Sequence, residues 1–260
     1  MKNERDLLER CLLSLREQTV PVEIVVVDSG STDGGLEVAK AHADTLIEIA
    51  PSDFTFGGAL NTGAEAASGD VHFALSSHCR AERRDWVERA LAHYEDERVA
   101  GTHGSRIDWE RRPLLDVVLQ DAELAARHPY WGFSNHASSW RADVWRTHRF
   151  DETMPACEDK EWAWRVMDEG WLIAVDPLLE VTKDHRQFAG TRALFHRSVR
   201  EAEALARGRS MPRRTVLDAL RTWWDDVPRD GVYPPLFHRL NYYRAAEIAG
   251  RYVGERRARR

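Results

Sequence analysis

An α/β fold built on a mostly parallel sheet is predicted for this 260-residue chain by three observations. The first is the apolar run Ile24-Val25-Val26-Val27, which ends at Asp28 and is followed by Ser29-Gly30-Ser31-Thr32-Asp33-Gly34-Gly35. Such a run reads as a strand buried on both faces, and such a sequel as a Gly-rich turn into a helix. The second is the alternation of short apolar runs with helically spaced segments up to about residue 185. The third is the change of pattern afterwards, where only helical spacing remains. The expected organisation is a sheet-based domain over 1–190 and a helical C-terminal extension over 191–260.

Taken in order, Leu7, Leu8, Cys11, Leu12 and Leu15 mark an amphipathic helix over 4–18. The Val-rich strand follows, then a helix over 36–43, and 46–49 reads as a second strand. Residues 51–58 read as a loop rich in Phe and Gly, and 59–67 as a small-residue helix ended by Ser68-Gly69. A strand at 71–75 runs into Ser76-Ser77-His78-Cys79. A helix over 85–94, a strand at 99–102 and a helix over 114–126 come next. A strong helix over 159–169 precedes a strand at 172–175, and the last third carries helices over 192–207, 214–225 and 236–253.

Composition narrows the function classes. A hydrophobic content of 43 %, a charged content of 31 % and a net charge of −6 describe a soluble globular protein, and the acidic balance argues against nucleic acid as a partner. Three widely spaced cysteines suggest neither a disulfide framework nor a Cys-based zinc site. No apolar run approaches the ~18–20 residues that span a bilayer, and the N-terminus has no signal-peptide pattern. A cytoplasmic home is expected. The ten tryptophans are either core or faces on which sugar rings and bases stack.

Asp28 sits at the carboxyl end of a buried strand, where open α/β sheets bind ligands. The turn alone leaves two readings open: a ligand site, or an ordinary strand-to-helix turn capped by Ser31 or Thr32.

Five segments, in one order, carry a resemblance. They are Val-Val-Asp-Ser-Gly-Ser-Thr-Asp-Gly (26–34), Phe-Gly-Gly-Ala-Leu-Asn-Thr-Gly-Ala-Glu-Ala-Ala-Ser-Gly-Asp (56–70), Gly-Phe-Ser-Asn-His-Ala-Ser-Ser-Trp-Arg (132–141), Glu-Asp-Lys-Glu-Trp-Ala-Trp-Arg (158–165) and His185. The chain resembles family 2 glycosyltransferases of the GT-A fold, a Rossmann-like sheet that binds nucleotide-diphospho-sugars, and within them the rhamnosyltransferase-like branch. The resemblance implies an inverting enzyme, a hexosyl- or deoxyhexosyltransferase of polysaccharide biosynthesis. It would move a sugar from a UDP-, dTDP- or GDP-sugar to a hydroxyl acceptor on a glycan, a lipid-linked molecule or a small molecule. It implies Asp159 as general base, with Glu158 beside it. That assignment suits the chemistry, because in-line displacement at an anomeric carbon needs a carboxylate to take the hydroxyl proton, and a helix N-terminus favours the ionised form. Asp28, Ser29, Gly30, Asn61, Ser76, His78 and Asn135 would bind the donor. Trp131, Phe133, Trp140 and Trp162, with His136 nearby, would face the acceptor, whereas Trp145 and Trp164 read as core.

Three departures stand out. The family's metal-binding Asp-x-Asp reads Ser76-Ser77-His78 here, so a divalent cation (Mn²⁺ or Mg²⁺) would be held by His78 and His185; the other reading gives the diphosphate charge to Arg or Lys. Leu60 stands where many relatives carry an Arg. The family's first buried strand, ahead of the residue that Asn3 matches, is missing from this sequence. The basic tail Glu255-Arg256-Arg257-Ala258-Arg259-Arg260 reads either as a solvated terminus or as a peripheral contact with anionic lipid at the inner membrane face. The alternative to an enzyme is a non-catalytic nucleotide-sugar or glycan binding protein derived from one. A nucleotidyltransferase is disfavoured, since no Gly- and Lys/Arg-rich phosphate loop lies near the N-terminus.

Overall fold

The computed structural model describes residues 1–183, 190–209, 211, 215–229 and 239–259. They fall into two compact units: Met1–Thr153 with Glu158–Asp184, and Met154–Cys157 with His185–Arg260.

In the first unit, helix α1 (Arg5–Arg16) lays Leu8 and Leu12 against Ile24 and Val26, so the apolar stripe read from the sequence is the packed face. Strand β1 (Val25–Asp28) pairs in parallel with β2 (Thr45–Glu48), and α2 (Gly35–His42) connects them. Helix α3 (Phe56–Ala66) starts earlier than expected, because Thr55 caps it by accepting the Gly58 N–H at 2.9 Å; Phe56–Gly58 is therefore helix and not loop.

A five-stranded sheet follows. It is made of β3 (Val71–Leu75), β5 (Val99–Gly104), β6 (Val118–Gln120), β7 (Ala137–Arg141) and β8 (Leu172–Asp176), in the order β3-β7-β5-β8-β6. β5 and β8 are parallel, while β7 is antiparallel to both of its neighbours and β6 is antiparallel to β8. Hence β3, β5 and β8 share one direction, and the α/β reading holds with two reversed strands. A small antiparallel pair joins β4 (Cys79–Arg80) to β9 (Thr182–Lys183). Helices α4 (Trp86–Ala92), α5 (Ala122–Arg127), α6 (Ala142–Thr147) and α7 (Glu158–Asp168) complete the unit.

One sequence expectation fails here, and one strand gives no sequence signal. The helix over 114–126 is instead strand β6 followed by α5, because Gln120 is buried in a rung with Ile173 and Asp121 caps the helix by accepting the Leu124 N–H at 2.8 Å. Strand β7 lies within the 132–141 motif. Its Ser138 and Ser139 are buried, so the apolar signature of a strand is absent.

In the second unit α8 (Thr191–Gly208), α9 (Val216–Arg229) and α10 (Arg239–Arg257) form a helical array. α10 lies directly on α8. A Cβ at Gly254 would stand 2.3 Å from the Val199 carbonyl oxygen, so only glycine admits that approach. No described helix is long and apolar enough to cross a membrane.

Candidate active site

The site assembles where β1, β3 and α7 end or begin. At the end of β1 the Asp28 carboxylate is buried and turned back on its own loop, accepting from the Gly30 N–H (2.8 Å), the Ser31 N–H (2.9 Å) and the Ser31 hydroxyl (2.5 Å). Burial works against its charge, but the Ser31 hydroxyl and the two backbone N–H groups outweigh it and hold the carboxyl below the usual range. Gly30 has φ +90, and a Cβ there would stand 2.6 Å from Pro51 Cγ. Asp28 shapes the turn with its carboxylate, which accepts three hydrogen bonds from its own loop. One expectation is corrected here, the capping of α2. Neither Ser31 nor Thr32 caps α2, whose N-terminus is Gly34 in the left-handed region, with Asp33 accepting from the Gly35 N–H. Ser29 is buried and donates its N–H to the Met1 carbonyl at 3.0 Å.

At the end of β3, His78 Nδ1 lies 3.4 Å from Glu4 Oε1, and the Ser77 hydroxyl donates to Glu4 Oε2. The bond to His78 holds the Glu4 carboxyl below its ordinary value; burial opposes this and Ser77 adds to it. Glu4 was missed in the sequence, because it sits at the start of α1 and meets His78 only through the fold. Ser76 donates its N–H to the His136 carbonyl at 3.0 Å, which ties this strand end to the loop carrying Asn135.

That loop is fastened to α7. Asn135 donates its backbone N–H to Asp159 Oδ2 (3.0 Å) and its side-chain amide to Glu158. Lys160 Nζ donates to the carbonyls of Gly132 (2.9 Å) and Phe133 (2.6 Å). Asp159 is 7 % exposed and Glu158 2 %, both in the first turn of the helix. Each carboxylate oxygen of Asp159 accepts one backbone N–H, from Asn135 and from Lys160, and a carboxylate has about four lone-pair sites, so capacity to accept a proton remains. Lys160 lies inside the 158–165 motif, and its neighbours there were the only signal that pointed to it.

Other expected site residues lie elsewhere. Asn61 is buried and fully engaged: its amide donates to the Phe150 carbonyl and Glu152, and its oxygen accepts from Trp145 Nε1 and the Phe150 N–H. These bonds anchor α3 to residues 145–152. Phe133, Trp140 and Trp162 are 1 %, 2 % and 0 % exposed and pack with Phe150 into one aromatic cluster, with ring centroids 5.1 Å apart for Phe133–Trp162 and for Trp140–Phe150. Rings closed off from solvent cannot stack on an acceptor, so these three are core. Trp131 is half-buried; it donates Nε1–H to the Ile107 carbonyl at 2.8 Å and meets Trp109 edge-on at 5.2 Å, while Trp109 stacks on His128. Trp109 and His128 had not been singled out. His185 lies outside the described residues. Among the described residues no cluster of three or more His, Cys, Asp or Glu is arranged to hold a metal ion.

The fold is that of GT-A glycosyltransferases. A mannosyltransferase from Pyrobaculum calidifontis, solved with GDP-Man and Mn²⁺, superposes with a TM-score of 0.63 over 95 % of this chain and 67 % of its own, at 19 % identity. The family is shown by sequence: the chain belongs to glycosyl transferase family 2, whose profile matches residues 1–157. It is 28 % identical over 93 residues to the O-antigen chain rhamnosyltransferase WbaN of Salmonella anatum, covering 35 % of this chain and 30 % of that protein. It is 28 % identical over 200 residues to the pre-mycofactocin glycosyltransferase of Mycobacterium tuberculosis H37Rv, covering 72 % of this chain and 42 % of that one. The matches thus span less than half the length of these relatives.

Proposed function

We propose that this protein is an inverting glycosyltransferase that moves a hexosyl or deoxyhexosyl group from a nucleotide-diphosphate sugar to a hydroxyl acceptor. The observation that carries the reading is the Asn135–Glu158–Asp159 arrangement at the N-terminus of α7, set beside the ends of β1 and β3. The acceptor oxygen attacks the anomeric carbon as the bond to the diphosphate breaks. Asp159 takes the hydroxyl proton, and the leaving diphosphate keeps the electron pair. Asn135 and Lys160 hold the carboxylates and the 132–135 loop in register, and Glu158 positions Asn135. Residues 1–190 form the catalytic part in this reading, and 191–260 a helical extension whose basic end contacts an anionic membrane surface.

Glu4 and His78, a carboxylate and an imidazole 3.4 Å apart, would hold a divalent cation as a partial donor set beside the donor diphosphate. Such an ion, when bound, neutralises charge on the leaving group. The mannosyltransferase solved with GDP-Man and Mn²⁺ supports that role by similarity of fold.

The test is a thermal-shift panel of UDP-, dTDP- and GDP-sugars with Mn²⁺, with Mg²⁺ and with EDTA, followed by transfer assays on the stabilising donor. Metal-dependent stabilisation by one nucleotide class, with turnover lost in Asp159→Asn, is the expected result. Stabilisation without turnover on any hydroxyl acceptor would favour the binding-protein alternative.

A further inference from the structure

Helix α9 opens on a reciprocal cap. The Thr215 N–H and hydroxyl donate to Asp218 Oδ2, each at 2.7 Å, and the Asp218 N–H donates back to the Thr215 hydroxyl at 3.2 Å. Within its unit α9 packs on α10, and Ala219 and Trp223 are half-buried. Its apolar stripe is wider than that. Val216, Leu217, Leu220 and Trp224 are each more than half exposed. They stand at i, i+1, i+4 and i+8, so the four share one face roughly 100° wide. Four large apolar side chains held together in solvent mark a surface that something covers.

Charge points to the kind of partner. Residues 191–260 carry 16 arginines, no lysine and 8 acidic residues, a net +8, which leaves −14 on residues 1–190 for the chain to total −6. The positive charge is therefore confined to the helical part. Arg213 and Arg214 lead into α9, and the exposed Arg221 lies one turn from both Leu217 and Trp224. A second copy of the chain would bring two +8 surfaces together, which repel. A nucleic acid would answer the arginines but offers nothing to Leu217 and Leu220. An anionic bilayer offers both at one level: lipid phosphates, which guanidinium groups bind in bidentate fashion, and acyl chains for the apolar face.

We propose that α9 is an interfacial anchor, lying along an anionic lipid surface with Val216, Leu217, Leu220 and Trp224 in the acyl boundary and the neighbouring arginines on lipid phosphates. It lies on the bilayer rather than through it, since α9 has 14 residues and no described helix is long and apolar enough to cross. This anchor rests on the proposed contact of residues 191–260 with an anionic membrane, and moves the anchoring from their basic end to α9.

The experiment is flotation of the full chain with vesicles of phosphatidylglycerol and phosphatidylcholine in equal parts, and with vesicles of phosphatidylcholine alone. Two variants are compared with the wild type: Leu217→Ser with Leu220→Ser and Trp224→Ser on α9, and Arg256→Ser with Arg257→Ser and Arg260→Ser at the basic end. The wild type is expected to partition roughly tenfold or more in favour of the anionic vesicles, the α9 variant to lose roughly tenfold of that binding, and the basic-end variant to keep most of it. The replaced α9 side chains are exposed, so the melting temperature should stay near that of the wild type. A measurement on the wild type alone backs the variants: anionic vesicles should slow amide exchange across 216–224. Equal partitioning of the wild type and the α9 variant, or unchanged exchange across 216–224, overturns the anchor. Loss of binding in the basic-end variant only would also overturn it, while leaving the membrane contact to that end. A wild type that does not float with anionic vesicles overturns both the anchor and the contact. Dimerisation in solution that the α9 variant abolishes would overturn the anchor as well, by placing a second copy on this face.

Discussion

The backbone N–H of Asn135 points at Oδ2 of Asp159 from 3.0 Å, joining a loop and a helix that are 24 residues apart in sequence. This contact orients the carboxylate without using up its capacity to accept a proton. Asp159→Asn is expected to lower kcat by about 10²- to 10⁴-fold, the usual worth of a positioned base. Donor affinity should stay near wild type, while the melting temperature should fall modestly, because the Asn side chain has one oxygen and can accept only one of the two backbone N–H bonds that the Asp159 oxygens take from Asn135 and Lys160. Transfer kinetics under saturating donor check this, and unchanged kcat would remove Asp159 from the mechanism.

Glu4 and His78 give a second prediction. If they hold a cation against the donor diphosphate, Glu4→Gln should weaken Mn²⁺ binding by roughly tenfold, since about 1.4 kcal/mol is a modest share for one charged ligand. The readout is Mn²⁺ affinity by calorimetry or paramagnetic resonance in the presence of nucleoside diphosphate. Chelation with EDTA should abolish donor-induced stabilisation in the wild type. Equal Mn²⁺ affinity in both forms would place the cation elsewhere.

Aromatic residues separate core from surface roles. Trp162→Ala should cost about 3–5 kcal/mol of stability, because Trp162 is fully buried against Phe133 and Phe150. Trp131→Ala should lower the melting temperature much less than Trp162→Ala, since it removes one hydrogen bond and one ring contact of a half-buried side chain, and raise acceptor KM by about two- to tenfold, the worth of one stacking contact. A Trp131→Ala variant with wild-type KM on a competent acceptor would move the acceptor off this aromatic pair.

Much of this was legible in the chain where the signal is local. The β1 run, the α1 stripe and the Glu158-Asp159 pair at the head of α7 all depend on neighbours a few residues away. What escaped is what long-range contacts decide. Ser139 can be buried in β7 because Thr102 and Tyr94 meet its hydroxyl at 2.7 Å, across 37 and 45 residues of sequence. Asn61 looked like a donor contact until its amide proved to be spent on residues 145–152. The aromatic motif residues Phe133, Trp140 and Trp162 read as a wall because sequence shows a side chain's chemistry but not which way a loop, strand β7 or helix α7 turns it. In each case a polar or aromatic residue is satisfied by a distant partner, so spacing alone could not separate function from packing.

The last prediction concerns acid stability. His103 is buried on β5, with Nδ1 3.1 Å from the Ala137 carbonyl, and its ring meets His136 edge-on. Burial, with help from the charges of Lys160 and Lys183, pushes its pKa down to about 3 from an ordinary 6.5. The folded protein therefore keeps this ring neutral, while the unfolded chain protonates it below about 6.5. Between those values the unfolded state binds more protons, so stability falls as pH falls, by up to roughly 1.4 kcal/mol per pH unit. Above 6.5 both states are neutral and the contribution is fully present. His72 is also shifted down by burial and acts in the same direction, so the wild-type slope alone does not isolate His103. The comparison with His103→Asn does. Its amide can donate to the same carbonyl but does not titrate, and the decline in urea-unfolding free energy between pH 6.5 and 4.5 should become shallower. Identical slopes would mean that the His103 ring takes up its proton in the folded state.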